Sequence, residues 1–220
     1  MRSLSSSVTR GFSRRRAIAA FLAALPSVYF GTLAQAAESR TTRTTRPTPA
    51  QTEGPFYPVT LPQDSDNDLL HNGDQIYSEG RSVWLEGTVT DTAGLPMANA
   101  VVEIWQCDDA GHYHHPGDGG KADPRFQGFG RTTVDANGRY QFRTIRPVSY
   151  GARAPHIHVK VKRGGRELLT TQVYVAGDPD NARDALWRSL PALDRDAVTV
   201  AFVPQEEGFR AAFPIVVALA

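Results

Sequence analysis

The chain has a single cysteine, Cys107, among its 220 residues, so it cannot form an internal disulfide framework. Cys107 ends the apolar run VVEIWQC, a context that favours a buried and unreactive thiol over a nucleophile. The apolar stretch near the start of the chain, residues 17–25, is shorter than the roughly 20 residues that a membrane-spanning helix needs. A disulfide scaffold is therefore excluded, and the N-terminal stretch is not a membrane anchor.

Asp and Glu are absent from the first 36 residues, which contain five arginines. The arginines precede the apolar stretch, and the small-residue pattern Ala34-Gln35-Ala36 follows it, as is typical of an export signal cleaved after Ala36. Within this segment, residues 13–19 (SRRRAIA) resemble the twin-arginine signal, with Ala17 where an aromatic residue is more usual. We expect residues 1–36 to direct export to the periplasm or the exterior by that route, with ordinary secretion as the alternative.

The remaining chain divides into a short polar segment and one domain. Residues 37–50 consist largely of Thr, Arg and Pro, which predicts a flexible linker before a domain at 51–220. Without residues 1–36, the chain carries 19 Lys and Arg against 23 Asp and Glu. This mildly acidic body argues against nucleic acid or an anionic membrane as the main partner, since both attract cationic surfaces.

Turn signals and short alternating or β-branched runs fill the domain. They predict an all-β fold, an antiparallel β-sandwich with irregular loops and at most one short helix. That helix is expected at residues 182–190, with Asn181 as its cap and Pro191 after its end. The candidate strands are residues 83–90, 100–106, 139–143, 156–162, 168–175, 197–202 and 213–219.

Two histidines, His156 and His158, stand two residues apart where the chain enters a predicted strand. Side chains alternate along a strand, so both imidazoles lie on one face and can share a metal ion. Tyr113 and Tyr150 lie in turn-rich segments close to strand ends, where functional groups often occur. The pattern alone leaves open a hydrogen-bonded or surface histidine pair, and also a copper or zinc site that includes His112, His114 and His115.

These segments resemble the intradiol ring-cleavage dioxygenases of the catechol and protocatechuate type, and more closely the compact protocatechuate-type subgroup. The matching pieces follow in order through nearly the whole domain: 52–58 (TEGPFYP), 87–96 (GTVTDTAGLP), 100–113 (AVVEIWQCDDAGHY), 126–131 (FQGFGR), 138–147 (GRYQFRTIRP), Tyr150 and 153–158 (RAPHIH). The resemblance implies one Fe(III) per chain, bound by Tyr113, Tyr150, His156 and His158. Phenolate is a hard oxygen donor that suits ferric iron.

The resemblance also implies a reaction, in which a catecholic aromatic is cleaved by O2 between its hydroxylated carbons to give a muconate-type diacid. Tyr150 is then the tyrosine that leaves the metal and acts as a base, whereas Tyr113 stays bound. Arg153 would stabilise charge on the substrate, and Gln172 would orient a histidine ligand. Tyr150 and His156 are only six residues apart, a shorter spacing than in better-known members. A homodimer is also expected.

Two further alternatives remain open from the sequence. Residues 87–96 and the following AVVEIW also resemble transthyretin-like β-sandwich modules, which bind ligands without catalysis. Glu53 could support the site or form a structural contact. Trp84 and Trp105 are predicted to be core residues, since each lies in a strand pattern.

Overall fold

The computed structural model describes residues 45–219, and within this range the chain forms twelve β-strands and two short α-helices. The predicted export signal and residues 37–44 of the predicted linker lie outside the described residues. The elements are, in order, β1 (His71–Asn72), β2 (Gln75–Ile76), β3 (Ser82–Asp91), β4 (Val101–Trp105), β5 (Phe129–Thr133), β6 (Arg139–Ile145), β7 (His156–Arg163), β8 (Arg166–Val175), α1 (Ala185–Ser189), α2 (Ala192–Val198), β9 (Thr199–Val200), β10 (Phe202–Pro204), β11 (Phe209–Ala212) and β12 (Ile215–Val217).

Ten of these strands form two sheets. One has the order β10-β11-β3-β12, with β6 paired to β3, and the other has the order β5-β4-β7-β8-β9. The long pairs β3–β6, β4–β7 and β7–β8 are antiparallel, whereas β11 and β12 run parallel to β3, and β9 runs parallel to β8. The all-β sandwich predicted from the sequence is confirmed, with three parallel pairs among the antiparallel ones.

Alternating side chains from both sheets fill the core of the sandwich. Val83 and Leu85 of β3 meet Ile157 and Val159 of β7 in one buried apolar cluster. Each such side chain stabilises the fold by roughly 1.5–3 kcal/mol when fully buried. This core fixes the position and the register of β7.

The opposite face of β7 is buried as well. His156, His158 and Lys160 are at most 4% exposed, although they point away from the sandwich core. An exposed sheet face would leave such residues in water, so another layer must cover them. That layer includes Phe56 and Tyr57, together with the loops that carry Tyr113 and Tyr150.

The region after β8 differs from the prediction in two respects. The predicted strand at 197–202 is wrong for its first part, because α2 continues to Val198 before the short strands β9 and β10. The predicted helix at 182–190 is replaced by a 3-10 turn, Pro179–Ala182, and by α1 and α2 on either side of Pro191. Asn181 is not the cap of α1; Asp184 accepts hydrogen bonds from Leu186 N and Trp187 N.

Packing of the body begins before the predicted boundary at residue 51. Thr45 N donates to Thr92 O at 2.8 Å, and Thr48 N donates to Val216 O at 2.9 Å. Residues 45–50 are therefore held against the sandwich. Within residues 45–219, no helix is long and apolar enough to cross a membrane.

Cys107 is buried, as the sequence predicts. Burial, with a smaller contribution from the neighbouring Asp108 carboxylate, raises the pKa of its thiol to about 12. A thiol with such a pKa stays protonated near neutral pH, so Cys107 supplies neither a nucleophile nor a thiolate ligand.

Candidate metal centre

Strand register assembles the centre of the site on the outer face of β7. His158 lies between Trp105 of β4 and Gln172 of β8, and His156 lies opposite Tyr174 of β8. The two imidazoles share one face, as the alternation predicts, and their Nε2 atoms are 3.1 Å apart. Two donor atoms so close together can bind a single ion.

The two tyrosines reach this face from loops. Tyr113 follows β4, and its backbone N donates to Asp118 Oδ2 at 2.8 Å while its ring stacks on Phe56. Tyr150 follows β6 in a tight turn closed by a 2.9 Å hydrogen bond from Arg153 N to Tyr150 O. The short spacing between Tyr150 and His156 is accommodated by this turn.

Four rings converge as a result. The Tyr150 ring centroid lies 5.1 Å from that of Tyr113 and 5.6 Å from that of His156, and the Tyr113 centroid lies 6.0 Å from that of His158. The structure therefore brings together all four residues that the sequence predicts as ligands.

Burial keeps both histidines neutral. It lowers the pKa of His156 to about 4, and the Arg153 guanidinium adds to the shift. Burial likewise holds the pKa of His158 well below its ordinary value, with contributions from His156 and Arg153. His156 Nδ1 donates to Ala154 O at 2.6 Å, so its Nε2 carries the free lone pair that a metal ligand needs.

Tyr113 offers the strongest indication that a cation belongs here. It is 2% exposed, and its hydroxyl has no hydrogen-bond partner among the described residues. Burial raises the pKa of this phenol well above its ordinary value, with smaller contributions from Cys107 and Tyr150. Leaving a polar group buried without a partner costs about 1–3 kcal/mol, which a cation in place of the phenolic proton would offset. Two phenol oxygens and two imidazoles fit a ferric ion.

Arg153 and Gln172 lie beside the four rings and bind each other. Arg153 Nη2 donates to Gln172 Oε1 and, at 3.2 Å, to the Tyr174 hydroxyl. Gln172 Nε2 donates to Thr52 O at 2.9 Å. The predicted role of Gln172 needs correction, because among residues 45–219 its side chain bonds no histidine ring. It orients Arg153 instead.

Two residues of this network were missed by sequence reasoning. Asp184, which is fully buried, accepts hydrogen bonds from Arg153 Nε and Ala154 N, both at 2.9 Å. The Tyr174 hydroxyl donates to Gln172 Oε1 at 3.0 Å. Alternation from Gln172 could have placed Tyr174 on the same strand face. No local pattern links Asp184 to Arg153, since the pair forms only when the segment before α1 packs against the site.

The other histidines of the Tyr113 loop do not join the site. His112 Nδ1 lies 3.2 Å from Asp118 Oδ2, His114 Nε2 lies 3.0 Å from Asp123 O, and His115 accepts from Gly117 N. Within the described part of the chain, no group of three or more His, Cys, Asp or Glu residues could hold a metal. The histidine-only copper or zinc site is therefore not supported.

The remaining alternatives are also settled by contacts. Glu53 pairs with Lys160 on the outer face of β7, so it forms a structural contact. Trp105 is 1% exposed, as expected of a core residue. Trp84 is only partly buried, with the Arg143 guanidinium 5.7 Å from its ring centroid.

Together, the fold and the site define a β-sandwich protein with a candidate metal centre of phenol and imidazole donors. A family model described as Dioxygenase matches residues 52–212. The chain therefore belongs to this family, and the relatives that it matches place it among the intradiol dioxygenases. This assignment favours the dioxygenase interpretation over the transthyretin-like one.

Three relatives illustrate the similarity. The protocatechuate 3,4-dioxygenase beta chain of Burkholderia cepacia is 36% identical over 154 residues, which cover 64% of this chain and 63% of that protein. Catechol 1,2-dioxygenase of Acinetobacter baylyi is 33% identical over 169 residues, or 69% of this chain and 53% of that protein. The dioxygenase domain of a carbohydrate-binding fusion from Streptomyces sp. SirexAA-E superposes with a TM-score of 0.64 at 30% identity, covering 80% of this chain and all of that domain. The match thus spans about half to two thirds of the curated relatives' length.

Proposed function

We propose that this protein is an iron(III)-dependent intradiol dioxygenase that cleaves a catecholic ring with O2, between its two hydroxylated carbons, to a muconate-type diacid. The observation that carries the proposal is the convergence of Tyr113, Tyr150, His156 and His158, with the Tyr113 hydroxyl buried and without a partner. The family membership and the names of the relatives support it.

Each of the four residues would act as a metal ligand. When bound, ferric iron would supply a Lewis acid that holds both catechol oxygens and makes the ring reactive toward O2. Tyr113 and Tyr150 would offset most of the ferric charge as phenolates, and the neutral histidines would complete the donor set without adding charge.

Tyr150 is the better candidate for the ligand that leaves and accepts a catechol proton. It is half-buried on a tight turn, whereas Tyr113 is almost fully enclosed and stacked on Phe56 at 4.6 Å. Burial raises the pKa of the Tyr150 phenol above its ordinary value, although Arg153 acts in the opposite direction. As a phenolate, Tyr150 would therefore be a competent base for a catechol proton.

Arg153 would stabilise negative charge on the bound substrate. Its guanidinium is held by Asp184, Gln172 and Tyr174 before any substrate arrives. Such preorganised donors lower the barrier because they need not reorient during the reaction.

The visible absorption spectrum of the purified protein tests this function. We expect a broad tyrosinate-to-iron band that shifts to longer wavelength when catechol is added without O2. When O2 is admitted, the bound catechol should be consumed and the shifted band should disappear. The ring-opened diacid should then be detected by mass spectrometry. A protein loaded with iron that shows no such band contradicts the ligand set, and a band without ring cleavage contradicts the activity.

We also propose that residues 1–36 direct export through the twin-arginine route, which carries folded proteins and suits one loaded with iron beforehand. Replacing Arg14 and Arg15 together by Lys should keep the protein in the cytoplasm, whereas Arg10→Lys should leave export unchanged. Cell fractionation and the N-terminal sequence of the exported form, expected to begin at Ala37, provide the measurement. Unchanged export of the double variant would indicate ordinary secretion.

A further inference from the structure

The two histidines of the candidate centre are held by different means. His156 Nδ1 donates to Ala154 O at 2.6 Å, a bond that fixes both its tautomer and its ring direction. His158 is 1% exposed, yet its Nδ1 has no hydrogen-bond partner among residues 45–219. Metal-binding histidines usually donate this second nitrogen to a carbonyl or a carboxylate. His158 Nε2 lies 3.1 Å from His156 Nε2, but that nitrogen faces the proposed metal, so something other than a hydrogen bond must fix the ring once the metal is bound.

Trp105 is positioned to fix the direction of the His158 ring. It is directly opposite His158 in the β4–β7 register, and the two rings are stacked, with centroids 4.7 Å apart and planes 9° apart. The backbone of Gly54 also lies close to the His158 ring, because a Cβ at Gly54 would be only 3.4 Å from Cε1. Rotation of the imidazole about its Cβ–Cγ bond would break the parallel stack and bring the ring edge into the indole.

Trp105 is itself held by Tyr57, which packs edge-on against it at 5.0 Å and 84°. The Tyr57 hydroxyl donates to Glu103 Oε2 at 2.9 Å, and Lys162 Nζ donates to the same hydroxyl at 3.0 Å. The Lys160 ammonium lies 3.8 Å from the Tyr57 ring centroid. A cation over a ring face in this way is attracted by the negative face of the ring, and more strongly when it is desolvated.

Two ion pairs, each with one buried partner, stabilise this arrangement. Lys160, whose side chain is 5% exposed, pairs with Glu53, and Glu103, which is 3% exposed, pairs with Lys162. Removing Lys162 would leave the buried Glu103 carboxylate without its ion pair, and moving Lys160 away from Glu53 would disturb a buried ammonium, so the contacts resist rearrangement. The segment that carries Glu53, Gly54 and Tyr57 is thereby fixed over the outer face of β4 and β7.

We propose that Trp105, held by Tyr57 and Lys160, is a positioning residue that sets the direction of the His158 imidazole toward the metal. The proposal rests on the function proposed above, in which His158 is a ligand. The stack takes the place of the hydrogen bond that His158 Nδ1 lacks among the described residues. Loss of an orienting partner typically weakens metal binding by about 10–100-fold.

The test compares Trp105→Leu, which fills space without an aromatic face, with Trp105→Phe, which retains a ring for stacking. Ferric affinity is measured by chelator competition, the ferric site by electron paramagnetic resonance, and the metal-free fold by thermal melting. We expect Trp105→Leu to weaken iron binding about 10-fold or more and to alter the resonance. Trp105→Phe should recover most of both.

Phe142→Leu serves as a control for general loss of packing. Phe142 is fully buried in the core between the sheets and contributes nothing to the site. This variant should lower the melting temperature while leaving the iron affinity and the resonance unchanged. If Trp105→Leu does not fold, Tyr57→Leu removes the edge-on contact from the outside and should shift the iron affinity in the same direction by a smaller factor.

The outcomes separate the two proposals. Wild-type iron affinity and resonance in Trp105→Leu, or in Tyr57→Leu where that variant replaces it, would overturn the positioning role and leave the proposed function intact. A wild-type protein that binds no ferric iron would overturn both. If Trp105→Leu and Phe142→Leu lose iron equally, Trp105 contributes only general packing, and the positioning role is overturned.

Discussion

Replacing Tyr113 by Phe is expected to reduce iron content and visible colour at least about 10-fold without destabilising the metal-free protein. The Tyr113 hydroxyl is buried and, apart from the nearby Tyr150 phenol, has no polar partner of hydrogen-bonding geometry among the described residues, so its removal should cost the metal-free protein little. It should instead relieve a desolvation cost of about 1–3 kcal/mol in the metal-free state. Iron binding and metal-free stability should therefore change in opposite directions, which purely structural roles for Tyr113 do not predict.

Tyr140→Phe is the matched control for this experiment. Tyr140 is also buried, but it lies in β6, in the sheet that does not carry the histidines. Its hydroxyl donates to Phe213 O at 2.6 Å. Its loss should destabilise the metal-free protein by about 1 kcal/mol or more and leave iron binding unchanged. Metal analysis, absorption spectra and melting of the metal-free proteins provide the comparison. Wild-type iron content and colour in Tyr113→Phe would remove Tyr113 from the ligand set.

Part of the candidate site could be predicted because the spacing of its two histidines is local information. Alternation along a strand places His156 and His158 on one face, whatever the rest of the fold does. No comparable geometric rule places Tyr113 and Tyr150 at the site. They were predicted because their surrounding segments resemble a known family. The convergence of the four rings in the structure agrees with both lines of reasoning.

The supporting residues could not be predicted, because their roles depend on contacts between distant segments. Trp105 stacks on His158 only because β4 and β7 pair in one particular register. Asp184 reaches Arg153 only when the chain before α1 folds back over the turn after β6. The Gln172 side chain bonds Arg153 and Thr52 O instead of a histidine, since strand position does not determine where a long side chain forms hydrogen bonds.

The error in the first part of the predicted strand at residues 197–202 has a similar cause. Ala197, Val198 and Val200 suit a strand by composition, yet Ala192, Leu193 and Val198 also fit a short helix that begins after Pro191. Val198 becomes fully buried beside Ala154 and Tyr174, so tertiary packing decides in favour of the helix. Short apolar runs often remain ambiguous until such packing is known.

Arg153→Ala is expected to lower kcat by about 10²–10³-fold while leaving iron content and the tyrosinate-to-iron band unchanged. Arg153 contacts Gln172, Tyr174 and Asp184, but it is not among the four residues proposed as ligands. Its loss should therefore spare metal binding and remove the cation that would stabilise charge on the substrate. Single-turnover rates of the preformed catechol complex with O2, together with iron analysis, measure the two effects separately.

Two further variants assign the effect to the guanidinium. Arg146→Ala removes an arginine that pairs with Asp178 at 3.6 Å and has no described contact with the ligands, so its kcat should stay near the wild-type value. Arg153→Lys keeps the positive charge but loses the planar fork that binds Asp184 and Gln172 together. If only the positive charge matters, Arg153→Lys should recover the full kcat, and if only the orientation of the guanidinium matters, it should recover none. A partly recovered kcat would show that both contribute. An unchanged kcat in Arg153→Ala would exclude Arg153 from the reaction.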